Sequence, residues 1–253
     1  RGLGAGSGNP SDAVALSPEW YDKLQEESEE LAKRGESPGY RLYTYSSPGN
    51  GYSFIGWNHN ERVFVEGQAG VKEVTRDHPL FADRRVRLAM TLLINRPAML
   101  EALRYGIGSV ATGPFWHESP QYAPDLEPWP YDPKRAAALL AQAGWKDTDG
   151  DGWLDDGKGQ RFEFTWTAPS GGQQTKDLVR VVSEEMRRNK IRVKAEFIDW
   201  PVFVRTLDRR DFDAVTLAWG GGGVESDPYQ IWHSDQITNQ GHNFIGFEHA
   251  EAD

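Results

Sequence analysis

The chain has 253 residues, enough for one large domain or two modest ones, with 38% hydrophobic and 26% charged residues and a mean hydropathy of -0.66. No apolar run is long enough to cross a bilayer, and a net charge of -10 with no basic stripe to offset it argues against nucleic acid as a partner. With no cysteine, disulfides, thiolate metal sites and cysteine nucleophiles are excluded.

Residues Arg1 to Ser11 are rich in Gly and Ser and carry the pattern of neither a signal peptide nor a membrane anchor. Ser17 before Pro18 reads as a helix cap, and Trp20, Leu24 and Leu31 then share a face until Gly35. Tyr40 to Tyr45 and Tyr52 to Trp57 alternate apolar with polar residues around a Ser-Ser-Pro-Gly-Asn-Gly turn, which predicts a hairpin. Residues 59 to 80 show no period and are predicted irregular. Further helices are predicted from Asp83 to Leu93, from the cap Asn95 to Gly106, and from Asp132-Pro133 to Gly144.

From Arg161 onward the pattern becomes β-α-β-α-β. It comprises strand Phe162 to Thr167, helix Gln173 to Arg188, strand Ile191 to Ile198, helix Pro201 to Arg209 and strand Ala214 to Trp219. In the first of these helices Leu178, Val181, Val182, Glu185 and Met186 form the predicted apolar stripe, with Glu185 its single polar interruption, and Asn189 the predicted left-handed stop. Such strands run parallel, and a ligand crevice is expected outside their carboxyl ends. Three loops occupy that edge: Ala168 to Gly172, the corner Asp199-Trp200, and the glycines after Trp219.

Trp219-Gly220-Gly221-Gly222-Gly223 is the most informative local string. Glycines let backbone amides approach a ligand, and the indole supplies a flat stacking wall; a surface turn is the competing reading. Asp147, Asp149 and Asp151, then Gly152 and Asp155, match the opening of a calcium loop. Lys158 stands where a bidentate Glu is required, so an acidic turn without metal is the alternative. Gly106 to Ala111 imitates a dinucleotide fingerprint but follows a helix, the reverse of the required context. No histidine, serine or carboxylate spacing marks a catalytic set.

Several strings in this order resemble family 5 of the bacterial extracellular solute-binding proteins, the oligopeptide, dipeptide and nickel-binding group. They are Phe81-Ala82-Asp83-Arg84-Arg85-Val86-Arg87, Ile94-Asn95-Arg96, Tyr131-Asp132-Pro133 through Ala143-Gly144-Trp145, and Asp149-Gly150-Asp151-Gly152. Trp200 to Phe203, Asp211-Phe212-Asp213-Ala214 and Gly241-His242-Asn243-Phe244 complete the set, so the resemblance spans residues 16 to 253.

The resemblance implies an α/β lobe of the type II periplasmic-binding-protein kind, a mixed sheet with a parallel β-α-β-α-β core. Residues 1–58 would be a lead-in helix and hairpin of the crossover region. Residues 59–253 would be the large ligand-binding lobe, part of a longer two-lobed clamp that is incomplete here at both ends. It implies binding rather than catalysis, no cofactor beyond the calcium left open above, and a location in the periplasm or on the cell surface. The partners implied are a small solute (a peptide, a sugar or an amino-acid derivative) and an ABC transporter permease, with a monomer as the working unit. Trp219, Gly220, Gly221, Gly222, Trp200, Trp116, Asn243 and Asp227 would face the solute.

One departure bears on the substrate. In peptide-binding members an aspartate three residues beyond the tryptophan matching Trp219 pairs with the peptide's amino group, and here that position is Gly222. Arginines that bind peptide ends in some members fall on Leu207 and Thr216. A buried ammonium needs a partner, so Asp227 or Glu225 would have to substitute, or the solute is not a free peptide. A secreted carbohydrate-active enzyme or lectin, and a calcium-stabilised interaction module, are the alternatives from other classes.

Overall fold

The computed structural model of the protein describes residues 14–44, 51–67, 70–220, 224–238 and 241–253. The chain divides into two units, Arg1–Tyr45 with Leu100–Ser109, and Ser46–Met99 with Val110–Asp253. In the first, α1 (Pro18–Lys33) begins where the Ser17 hydroxyl accepts the Trp20 N–H at 3.4 Å, and Gly35 at φ 75° follows its end. The Tyr40 hydroxyl then donates to the Leu24 carbonyl at 2.8 Å. Residues 41–44 are not a strand, so the first arm of the predicted hairpin is not formed among the described residues, and most of its turn lies outside them.

The second unit holds the sheet. Its strands are β1 (Tyr52–Trp57), β4 (Glu163–Pro169), β5 (Arg192–Ile198) and β6 (Ala214–Trp219), in the order β1-β6-β4-β5. The central β4 runs parallel to both neighbours, as the predicted β-α-β-α-β unit requires. β1 closes the other side antiparallel to β6, with Tyr52 opposite Trp219 and Trp57 opposite Ala214. Its alternation revealed a strand but could not reveal that the partner lies some 160 residues away.

β2 (Asn60–Gly67) and β3 (Gly70–Asp77) form a separate antiparallel hairpin in the segment predicted irregular. The contiguous run Val63-Phe64-Val65 between charged residues has no period of two, and among the described residues the hairpin pairs with no other strand.

α5 (Gln173–Arg188) and α6 (Trp200–Arg209) cover opposite faces of the sheet. Val179, Val182 and Met186 of α5 pack in one cluster with Phe164, Trp166 and Ala214, whereas Phe203 and Leu207 of α6 pack in another with Val215. Val179 replaces the predicted Val181 in the buried stripe. The left-handed stop is Lys190 (φ 64°) and not Asn189, whose side-chain amide instead donates back to the Glu185 carbonyl at 2.9 Å.

Three further helices are capped by local chemistry. Asp83 caps α2 (Arg84–Leu92) by accepting the Arg85 N–H at 2.8 Å, and Asn95 caps α3 (Arg96–Arg104) by accepting from Ala98 at 3.2 Å. Asp132 caps α4 (Pro133–Gln142) by accepting from Arg135 at 2.9 Å.

The larger core is aromatic. The Phe81 ring lies 5.2 Å from Trp57 and 5.3 Å from Phe164, and Trp145 packs edge-on to Phe162 at 4.8 Å. Each such ring contributes roughly 2–3 kcal/mol through burial alone.

His59, between β1 and β2, gives the unit a pH dependence. Burial first, then the Arg87 charge, pushes its pKa from 6.5 down to about 4. The folded state therefore resists a proton that the unfolded chain accepts below pH 6.5, so this contribution is complete above that pH and is lost as pH falls toward 4. We expect about 2 kcal/mol less stability at pH 5 than at pH 7 from this group, and a His59→Gln variant should lack that increment in pH-resolved urea unfolding.

Candidate functional site

The carboxyl edge of β4, β5 and β6 is bounded by Ser170, Asp199 and Gly220. Trp219 ends β6 half-buried, its ring 5.3 Å from His242 and 6.0 Å from Phe244, nearly parallel to the latter at 8°. Behind this stack is a small cavity of about 100 Å³ lined by Tyr52, Phe54, Trp219, Trp232, His242 and Phe244. Burial raises the Tyr52 hydroxyl pKa, and the Trp232 indole N–H works against that rise. Yet among the described residues Tyr52 Oη and Trp232 Nε1 are both buried without completing a hydrogen bond. The cavity therefore combines apolar walls with two unsatisfied polar atoms.

At the end of β5, Trp200 starts α6 with 55% of its surface exposed and its ring 5.8 Å from Phe203. The Ser170 hydroxyl donates to Asp199 at 3.0 Å, tying the β4 and β5 corners together. Gly220 is exposed, and a Cβ there would meet no atom of the described residues within 4 Å, so packing against them does not demand glycine at that position. Gly221, Gly222 and Gly223 lie outside the described residues. Trp116 is half-buried, edge-on to His117 at 5.8 Å, in the segment between α3 and α4.

Asp227 is exposed, and one of its oxygens accepts the Tyr229 N–H at 2.9 Å, which starts the short helix α7 (Tyr229–Trp232). Gln121 was not signalled by sequence. Its amide exchanges two hydrogen bonds with the Ser226 backbone, at 2.9 and 2.8 Å, and so fastens the loop before Asp227.

Asn243 requires a correction. It is 1% exposed, and its amide donates to the carbonyls of His233 and Phe247 while its oxygen accepts the Phe247 N–H at 2.9 Å. It is a tie within the 232–247 segment and presents no free polar atom to a solute. Its neighbour in function is Arg210, a non-glycine residue at φ 58°. The Arg210 guanidinium donates to the Leu207, Ile237 and Gly241 carbonyls and lies 4.9 Å from the Phe244 ring. Burial, then the charge of Arg62, holds its pKa down at about 10. Leu207 and Thr216 are buried too: Leu207 packs with Phe203, and the Thr216 hydroxyl donates to the Phe54 carbonyl at 3.0 Å.

The acidic loop brings oxygens of Asp147, Asp149 and Asp151 within 4.8 Å of one another, a donor set suited to a hard cation. Protein cations already occupy it. Lys190 pairs with Asp147 at 2.8 Å, and Arg161 pairs with Asp151 and, at 3.5 Å, with Asp149. Lys190 also holds the Asp147 carboxyl below the usual range. Asp155 is not part of this cluster, because it accepts from the Thr148 hydroxyl and N–H and from Gly157 N–H. Calcium would have to displace Arg161, so about 5 mM calcium is expected to move the thermal midpoint by less than ~1 °C. A rise of several degrees, abolished by Asp149→Asn, would mean that the ion wins.

Comparison with known proteins agrees with this architecture. The family described as bacterial extracellular solute-binding proteins, family 5 Middle, matches residues 9–240. The chain is 34% identical over 206 residues to the oligopeptide-binding protein AppA of Bacillus subtilis, covering 80% of this chain and 34% of that protein. It is 32% identical over 165 residues to protein XP55 of Streptomyces lividans, covering 63% of this chain and 29% of that protein. The structure of AppA in complex with a nonapeptide superimposes with a TM-score of 0.70 and 30% identity, over 95% of this chain and 46% of AppA.

The chain thus spans about a third of the curated relatives it matches and just under half of that structure. The expected α/β lobe of the type II periplasmic-binding-protein kind, a mixed sheet with a parallel core, is the fold observed. By the extent of the family match and by its relatives, the chain belongs to family 5 of the bacterial extracellular solute-binding proteins.

Proposed function

We propose that this chain is the solute-capturing lobe of the substrate-binding component of an ABC import system, working in the periplasm or at the cell surface. It takes a peptide or another small solute for delivery to a membrane permease and breaks no bond. The observation that carries this reading is the Trp219 stack at the carboxyl end of β6, with an apolar cavity behind it and the exposed Trp200 at the end of β5. That is the edge of a parallel sheet where ligands sit.

The cavity admits a small, uncharged side chain. A terminal acceptor on that side chain, or a bridging water, would satisfy Tyr52 Oη and Trp232 Nε1. Asp227 keeps one oxygen without a hydrogen bond among the described residues and is the acid best placed to meet an ammonium, although its exposure weakens that pairing.

A thermal-unfolding panel of short peptides, N-acetylated peptides, oligosaccharides and amino-acid derivatives tests this. Peptides are expected to raise the midpoint, with affinity limited to about 0.1–1 mM because one lobe makes only part of the contacts. A shift confined to sugars would replace the peptide by a glycan, and consumption of any compound would replace binding by catalysis.

A further inference from the structure

Among the described residues strand β5 ends the sheet with its outer edge open. The Arg192 N–H bonds the Phe162 carbonyl, and the Ile198 carbonyl accepts the Ser170 N–H. In a parallel ladder the peptide groups of Arg192, Lys194, Glu196 and Ile198 therefore face β4, and those of Val193, Ala195 and Phe197 face away from it. Among the described residues no strand pairs with that edge. Lys194 to Phe197 are all exposed, whereas β1 at the opposite edge buries Gly56 and Trp57. Beside β5 the flank of α5 bounds an open groove of about 780 Å³.

Sheets commonly blunt such an edge with proline, a bulge or a lone inward charge. β5 has no proline, and its register with β4 is continuous over seven residues. Its charges are placed symmetrically: Lys194 and Glu196 flank Ala195, and Val193 and Phe197 flank them in turn. Consider a second β5 laid antiparallel across a two-fold axis at Ala195. Val193 then meets Phe197 of the other copy, and Ala195 meets itself, all through the outward peptide groups as hydrogen-bonded pairs.

Lys194 meets Glu196 on the other face as the closer, non-hydrogen-bonded pair, about 4.5 Å apart at Cα. Lys194 already reaches Glu163 at 2.5 Å, while Glu196 makes no ion pair among the described residues. Moving the axis to Val193 would set Arg192 against Lys194, so charge selects the register centred on Ala195.

We propose that β5 is a homodimerisation edge, on which a second copy of this chain adds its own β5 antiparallel about Ala195 and joins two four-stranded sheets into one. This departs from the monomer implied by the family resemblance. A foreign acidic strand is the rival occupant, because the groove carries Lys176, Arg180, Arg187, Arg192 and Lys194 against Glu163 and Glu184. The plus-minus symmetry within β5 itself favours the second copy.

Sedimentation velocity over about 5 to 500 μM tests it, a range suited to a small interface. A reversible species of twice the 28.5 kDa chain mass is expected, weakening with salt. Lys194→Glu and Glu196→Lys should each be folded by circular dichroism and monomeric, because each places like charges across the axis. Mixed one to one, the two variants should regain the dimer, since each then offers the other opposite charges. Ala195→Pro should also be monomeric, losing only an outward N–H.

A wild-type monomer at all concentrations overturns the proposal. So does a dimer indifferent to the single variants, or a mixture that stays monomeric. Capture of an acidic extended peptide by a monomeric chain would assign the edge to a foreign strand and likewise overturn it.

Discussion

Replacing Asp213 with alanine is expected to lower the thermal midpoint by roughly 6–12 °C, corresponding to about 3 kcal/mol in a domain of this size. β6 begins only at Ala214, so at Thr165 the neighbouring strand β4 has no β6 partner, and the Asp213 carboxylate takes that place by accepting the Thr165 N–H at 2.7 Å. Its other oxygen is 3.1 Å from Nε2 of His78, which is 4% exposed. Because His78 Nδ1 accepts the N–H groups of Leu80 and Phe81, both at 3.1 Å, the ring proton must sit on Nε2 and point at Asp213.

Asn58 completes the junction by donating to the Phe212 carbonyl at 2.8 Å, while its own N–H bonds the Asp213 carbonyl at 2.9 Å. One carboxylate thus joins β4, β6 and the turn that places Phe81 in the core. Alanine would leave the Thr165 and His78 donors without an acceptor. Urea unfolding should show the loss, and the double variant with His78→Ala should be less than additive by about 1–2 kcal/mol. The exposed neighbour Asp211, changed to alanine, should cost under ~0.5 kcal/mol. An Asp213→Ala protein as stable as wild type would refute the junction.

The second large effect concerns binding. Trp219→Ala should weaken peptide capture by about 30-fold or more, the loss associated with an aromatic anchor of about 2 kcal/mol or greater. The ring is held rigidly by His242 and Phe244 and pays little entropy to receive a flat or apolar group. Truncation also opens the neighbouring cavity, so a modest stability loss should accompany it. Trp219→Phe separates the two roles: it keeps an aromatic face and should restore most of the affinity when measured by calorimetry. Equal affinities in wild type and Trp219→Ala would place capture elsewhere.

What could be read from the sequence was local chemistry and periodicity. Ser17 and Asn95 cap helices as their side-chain oxygens predict, the helices expected to start at Asp83 and Asp132 do so with those residues as their caps, and the β-α-β-α-β order holds because each element carries its own apolar pattern. What could not be read was pairing at a distance. β1 has its partner in β6, and the hairpin of β2 and β3 has no period of two to announce it.

The strings that carry the family resemblance turn out to serve the fold. Arg87 donates to the Phe81 and Ala82 carbonyls, Asp213 joins two strands, and Asn243 ties its own segment together. That is why Asn243 read as a ligand contact and is a buried strut. Trp219 and Trp200 were legible because an aromatic residue at the end of a parallel strand or the start of the next helix must lie at the sheet's carboxyl edge. The Gln121–Ser226 clasp and the cations that close the acidic loop depend on tertiary placement, which no spacing encodes.

The central claim, solute capture at the carboxyl edge of the sheet, is tested most directly by following the indole N–H resonances of Trp219, Trp232 and Trp200 while a neutral peptide is titrated into the chain. The account predicts saturable shifts at Trp219 and Trp232, a smaller one at Trp200, and none at Trp145 or Trp166 in the core. Shifts absent from Trp219 and Trp232, or confined to the core tryptophans, would contradict it.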